Sequence, residues 1–178
     1  MNKVLVAGVD TVVGGNVAVC LARTHAVTGV SLSDAISLKG CDLEKLPGSS
    51  LGDVEQLIRR VKPQQVIFCG AGSRTGWESS SQPTDADVQQ ASNWIRATHQ
   101  TETHLTLISS GAIFTGPWMF HSENSQSFCP SPAAQRLIAI EKEAEELCPD
   151  ALIVRTHAFG WTPGGKQGWL ETLLQQME

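Results

Sequence analysis

Apolar residues fall into two rhythms along the chain. Short, nearly unbroken runs at Lys3–Ala7, Val27–Leu32, Gln65–Phe68, Leu105–Ile108 and Leu152–Arg155 predict strands. A strand covered on both faces has no polar side to alternate with, so its sequence is continuously hydrophobic. Between these runs, apolar positions recur at three- and four-residue steps. Leu51, Val54, Leu57, Ile58 and Val61 mark one amphipathic helix, which Pro63 ends. The same spacing predicts helices over Val12–Arg23, Ala86–Thr98, Ala133–Leu147 and Trp169–Met177.

Strands and helices therefore alternate. Parallel strands need right-handed crossovers, and helices supply them, so the pattern predicts an α/β, Rossmann-like, doubly wound parallel sheet with helices on both faces. Two loose stretches, Ser73–Asp85 and Gly116–Pro132, follow strands at their carboxyl ends. That edge is where such sheets bind ligands, and function is expected there.

Composition narrows the classes. The 178 residues suit one domain over 1–178, and a hydrophobic content of 41% with 17% charged residues fits a globular chain. A net charge of −5 argues against nucleic acid as a partner, because that binding needs basic surface to displace counterions. Arg59, Arg60 and Lys62 are clustered, but at a predicted helix end, where cations suit the helix dipole. Glu141, Glu143, Glu145 and Glu146 read as a solvated helix face. Five cysteines without metal-ligand spacing predict neither a disulfide framework nor a metal site. The first strand starts by residue 3 and no run approaches about 18 apolar residues, so a cytoplasmic protein without a membrane span is expected.

The first strand-to-helix turn carries the first candidate chemistry. It reads Gly8-Val9-Asp10-Thr11-Val12-Val13-Gly14. In dinucleotide-binding turns a first glycine permits the tight bend, a middle one lets backbone approach a pyrophosphate, and a last one lets helix and strand pack closely. Here Thr11 replaces the middle glycine. The N–H groups of the helix start still favour an anion, and Thr11 could either cap the helix or donate its hydroxyl to a phosphate.

Several stretches in order carry a wider resemblance. "GCDLEKLPGSSLGDVEQLIRRVKPQQVIFCGAG" (Gly40–Gly72), "TLISSGAIFTGP" (Thr106–Pro117) and "ALIVRTHAFGWTPGG" (Ala151–Gly165) follow the altered glycine turn. Together they resemble the extended short-chain dehydrogenase/reductases, particularly dTDP-4-dehydrorhamnose reductases and related sugar-nucleotide proteins. The resemblance implies NAD or NADP as cofactor. It implies that Gly8, Thr11, Val12, Val13 and Gly14 surround the pyrophosphate, that Asp42 and Leu43 contact adenine, and that Gly70, Ala71, Gly72 and Ser109 lie beside the cofactor. Ser31 stands where NAD-preferring relatives carry an acid for the ribose hydroxyls. Its lack of charge leaves room for a 2′-phosphate and leans the expectation to NADP, although no arginine follows it.

The same resemblance implies a catalytic set that this chain mostly lacks. Ser110 matches the residue that orients the substrate carbonyl. The proton-transferring tyrosine and the lysine four residues later should open the helix in "PSPAAQRLIAIEKEAEE", where Ala133 or Ala134 and Leu137 or Ile138 stand instead. No tyrosine occurs anywhere in the chain. The supporting helical asparagine aligns roughly with Asp87. His121 and His157 lie in loops near the expected site, where a lone histidine without a paired acid is ordinarily a loop residue. Arg155 matches a family arginine after the last strand.

Those enzymes also continue into a small domain that closes over the sugar; the 178 residues end after the last predicted helix, so either that domain is lacking or the native chain is longer. Three roles fit. The missing pair favours a catalytically degenerate NAD(P)- or nucleotide-sugar-binding domain, a pseudoenzyme like the reductase-like regulatory β-subunit of methionine adenosyltransferase. The second is an active reductase or epimerase with nonstandard residues. The third is a structural or interaction domain that has lost its ligands and meets a protein partner or its own copy; Trp77, Trp118 and Trp161 in the loops could stack on a base or sugar or form a partner surface.

Overall fold

A computed structural model describes residues 2–33, 36–46, 48–74, 82–116, 121–165 and 168–177. The strands are β1 (Lys3–Ala7), β2 (Ala26–Val30), β3 (Asp42–Glu44), β4 (Gln65–Phe68), β5 (His104–Ser110) and β6 (Leu152–Thr156). The helices are α1 (Val12–Leu21), α2 (Leu51–Val61), α3 (Asp85–Gln100), α4 (Pro132–Leu147) and α5 (Trp169–Gln175). The strands form one parallel sheet in the order β3-β2-β1-β4-β5-β6. The chain runs outward from β1 to β3, then returns to β4 on the other side. That reversal opens a crevice at the carboxyl ends of β1 and β4.

Strand alternation sorts the core into two layers. Leu5 and Ala7 point to one face, where α2, α3 and α4 cover them with Val54, Leu57, Trp94, Ile95, Leu137 and Ile138. Val4 and Val6 point to the other, against Ala18 of α1. The helices begin where their caps dictate. Ser50 and Thr84 each accept a bond from the N–H three residues on, and Asp53 and Asp87 return it, completing capping boxes on α2 and α3. Ser131 caps α4, with Pro132 just inside.

Three departures from the sequence pattern have local causes. The strand β3 was not expected, because its three residues are polar or exposed and show no apolar run. The second strand stops at Val30 rather than Leu32, since the Leu32 N–H turns away from the ladder to the Asp10 carboxylate, 2.9 Å away. The fifth strand runs on to Ser110, so Ser109 and Ser110 lie on the sheet and pair with Arg155 and Thr156.

Candidate functional site

Three chain segments meet at the switch point. The turn from β1 into α1 closes through Thr11, whose side chain accepts from the Gly14 N–H at 3.0 Å and donates to the Gly8 carbonyl at 2.8 Å. Thr11 is 7% exposed, and its only hydroxyl proton is spent inside the turn. Of the two roles open to Thr11, the structure shows the cap. The glycines either side are required. Gly8 has φ +86°, and a Cβ there would overlap the Cys69 carbonyl, while one on Gly14 would overlap the Gly8 carbonyl. Among the described residues no protein group accepts from the N–H of Val12 or Val13 at the start of α1. Two backbone donors and the positive end of a helix dipole thus remain for an anion.

The second segment follows β4. Gly70, Ala71 and Gly72 form a tight, buried turn, and a Cβ on Gly72 would come within 2.8 Å of the Ile108 carbonyl and Ser109 Cα. Gly72 thereby brings this turn onto the end of β5. Ser109 is 3% exposed, and its hydroxyl has no partner among the described residues. It faces a void of about 10 Å³ shared with Gly72, Leu137 and Ile140. Ser110, half-buried, accepts from the Ala112 N–H at 3.2 Å. Where the resemblance implies tyrosine and lysine, Ala134, Leu137 and Ile138 are buried at 2%, 6% and 7% exposure, and Ala133 is half-buried.

The third segment lies beyond β2. A cavity of about 480 Å³ opens there, lined by Val9, Ser31, Leu32, Leu43, Leu46 and Trp94 among others. Its size suits a small-molecule site, for which about 300–1,000 Å³ is usual. Trp94 is fully buried, and its indole N–H has no acceptor among the described residues, an orphan donor in the cavity wall. Leu43 lines this cavity, whereas Asp42, one position earlier on β3, is exposed and is not among its lining residues.

Asp10 is the site residue that sequence reasoning missed. It reaches from the glycine turn to the end of β2, where Oδ1 accepts from the Leu32 N–H at 2.9 Å. Its Oδ2 accepts from the Ser33 N–H at 3.0 Å and the Ser33 hydroxyl at 2.5 Å. The signal was present as a carboxylate inside the turn and small polar residues after β2, but only the fold brings them together. Burial pushes the Cys69 thiol up to about 12, and the charge of Asp10 adds to that rise. This cysteine is a core residue without nucleophilic character at neutral pH.

Other candidates have structural tasks. Asp87 accepts from Arg74 at 2.5 Å and from the Thr84 N–H at 2.8 Å, so it caps α3. Arg155 grips the buried Glu141 with Nε at 3.2 and 3.1 Å and Nη2 at 2.8 Å. That pairing raises the guanidinium pKa further, and Phe114 lies beneath it at 5.3 Å. His121 stacks on Phe114 and bonds Ser125. His157 packs against Gly111, where a Cβ would come within 2.9 Å of its Nε2. Arg59 pairs with Glu55 and Arg60 with Glu44, both at the surface. Trp161 is exposed, and its carbonyl accepts from Asn16 of α1. Trp77 and Trp118 lie outside the described residues. Among the described residues no helix is long and apolar enough to cross a membrane.

No protein-family model and no curated protein matches this chain. Solved structures do resemble it. The Bordetella bronchiseptica enzyme WbmH in complex with NAD+ superposes with a TM-score of 0.71 at 17% identity, over 99% of this chain and 62% of that one. A dTDP-4-dehydrorhamnose reductase from Bacillus anthracis in complex with NADP gives 0.71 at 17% identity, over 99% and 60%. A UDP-glucose 4-epimerase from Brucella ovis in complex with NAD gives 0.69 at 19%, over 87% and 51%. The fold is a Rossmann-like α/β domain shared with these structures, and the chain spans about three fifths of the length of the first two.

Proposed function

We propose that this chain binds a nicotinamide dinucleotide, or a nucleotide sugar sharing its nucleoside diphosphate, and does not itself transfer hydride. One observation carries the binding half. The two unpartnered N–H groups of Val12 and Val13 and the cavity bounded by Ser31, Leu43 and Trp94 lie along one sheet edge. That edge has the polarity a dinucleotide needs, with anion donors at the switch point and an apolar pocket carrying a spare donor at its side. The residues present fit the group. The glycine turn would hold the pyrophosphate, the cavity the adenosine, and Gly70–Gly72 would border the path toward β5. When bound, a nicotinamide supplies a hydride donor or acceptor.

The chain's own residues support the second half of the reading. Proton transfer must accompany hydride transfer to a carbonyl, and a positioned acid contributes about 10²–10⁴ in rate. Ser110 can orient a carbonyl, but the α4 residues at the matching positions are apolar, with Ala134, Leu137 and Ile138 buried and Ala133 half-buried. Neither His121 nor His157 has a carboxylate partner among the described residues. The WbmH, reductase and epimerase structures favour a nucleotide ligand for this fold without setting its identity. The test is NADH and NADPH oxidation with a dTDP-4-keto sugar. The expected result is a rate equal to buffer background, and oxidation that disappears in Ser110→Ala would overturn the proposal.

A further inference from the structure

We infer that Asp10 sets the cofactor preference of this chain, making the site take an unphosphorylated adenosine ribose, as in NAD(H), over the 2′-phosphorylated ribose of NADP(H). The inference rests on the dinucleotide reading above and reverses what Ser31 alone implies. In this fold the ribose hydroxyls meet the chain just after β2, where an acid usually accepts them. Here that position is Ser31, and the acid arrives from another part of the chain.

Asp10 crosses from the β1 turn and plants its carboxylate on the two backbone N–H groups that follow Ser31, those of Leu32 and Ser33. The Ser33 hydroxyl adds a third bond. A 2′-phosphate entering this corner would seek these same donors and find them holding an anion. It would also bring about two further negative charges against the carboxylate, in a half-buried setting where water screens them less than at open surface. A ribose hydroxyl carries no charge and can donate to a carboxylate, so the same geometry favours it. The described residues that line the cavity offset this repulsion little. Among the described residues the cavity is lined by one base, Lys45, and one acid, Glu44. No arginine, the group best shaped for a phosphate, lines it.

The experiment titrates the protein with NADH and NADPH, and in parallel with adenosine 5′-monophosphate and adenosine 2′,5′-bisphosphate. The wild type should bind NADH at least about tenfold more tightly than NADPH, about 1.4 kcal/mol. The adenosine pair should show the same order. Asp10→Asn, which keeps the side-chain shape and removes the charge, should narrow the gap to less than about threefold, mainly by strengthening NADPH. Ser33→Ala, which loses one bond to Asp10 and leaves the charge, should keep the gap. NADPH binding as tightly as NADH in the wild type would overturn the inference, and so would a full gap in folded Asp10→Asn. Should Asp10→Asn not fold, the wild-type ratio and Ser33→Ala decide the matter. Binding of neither dinucleotide would bring down the functional reading itself, an outcome distinct from binding without preference.

Discussion

At the scale of single residues, Thr11 shows how an altered motif keeps its fold. A middle glycine leaves the turn bare, whereas Thr11 ties its two ends together through bonds to Gly8 and Gly14. Its hydroxyl proton has gone to a carbonyl, so a phosphate at this turn must be held by backbone N–H groups. Thr11→Ala should therefore lower stability by about 1 kcal/mol, the usual cost of losing a helix cap, seen as a lower midpoint in urea. Affinity for NADH should change by less than about threefold. Unchanged stability with an affinity loss of about tenfold or more would mean that the hydroxyl serves the ligand instead.

At the scale of elements, the start of α3 shows a carboxylate that closes its own helix. Asp87 sits where the resemblance implies a supporting asparagine, yet its carboxylate closes a capping box with Thr84 and pairs with Arg74. Burial works against the charged form, but the bonds from Arg74 and Thr84 outweigh it and hold the pKa below its ordinary range. The folded value lies under the unfolded one of about 3.9, so the stabilisation is complete above that pH and is lost as pH falls through the folded value. Thermal unfolding of the wild type should accordingly drop more between about pH 5 and pH 3 than that of Asp87→Asn. Parallel losses in the two proteins would remove Asp87 from the acid response. The role was hard to see in the sequence, because Thr84-Asp85-Ala86-Asp87 offers two carboxylates and only helix geometry selects the one at the third position.

At the scale of the molecule, hydrophobic rhythm carries most of the fold. Among the described residues, five of six strands and all five helices follow from runs and spacings, because burial on two faces and burial on one face leave different patterns. The strand β3 escapes that logic, being short, polar and at the sheet edge. The site divides along similar lines. The glycines of the β1 turn declare themselves, since a tight bend and close packing admit little else. Asp10 does not, for its partners lie 22 and 23 residues away and meet it only when β2 pairs with β1.

In the function proposed above, the sheet edge at the switch point binds a dinucleotide, and α4, with Ala134, Leu137 and Ile138 buried, supplies no proton donor. Calorimetric titration of the 178-residue protein with NADH tests this account most directly. The account predicts a saturable heat with micromolar affinity, about −8 kcal/mol. No heat and no thermal stabilisation at millimolar NADH would contradict it.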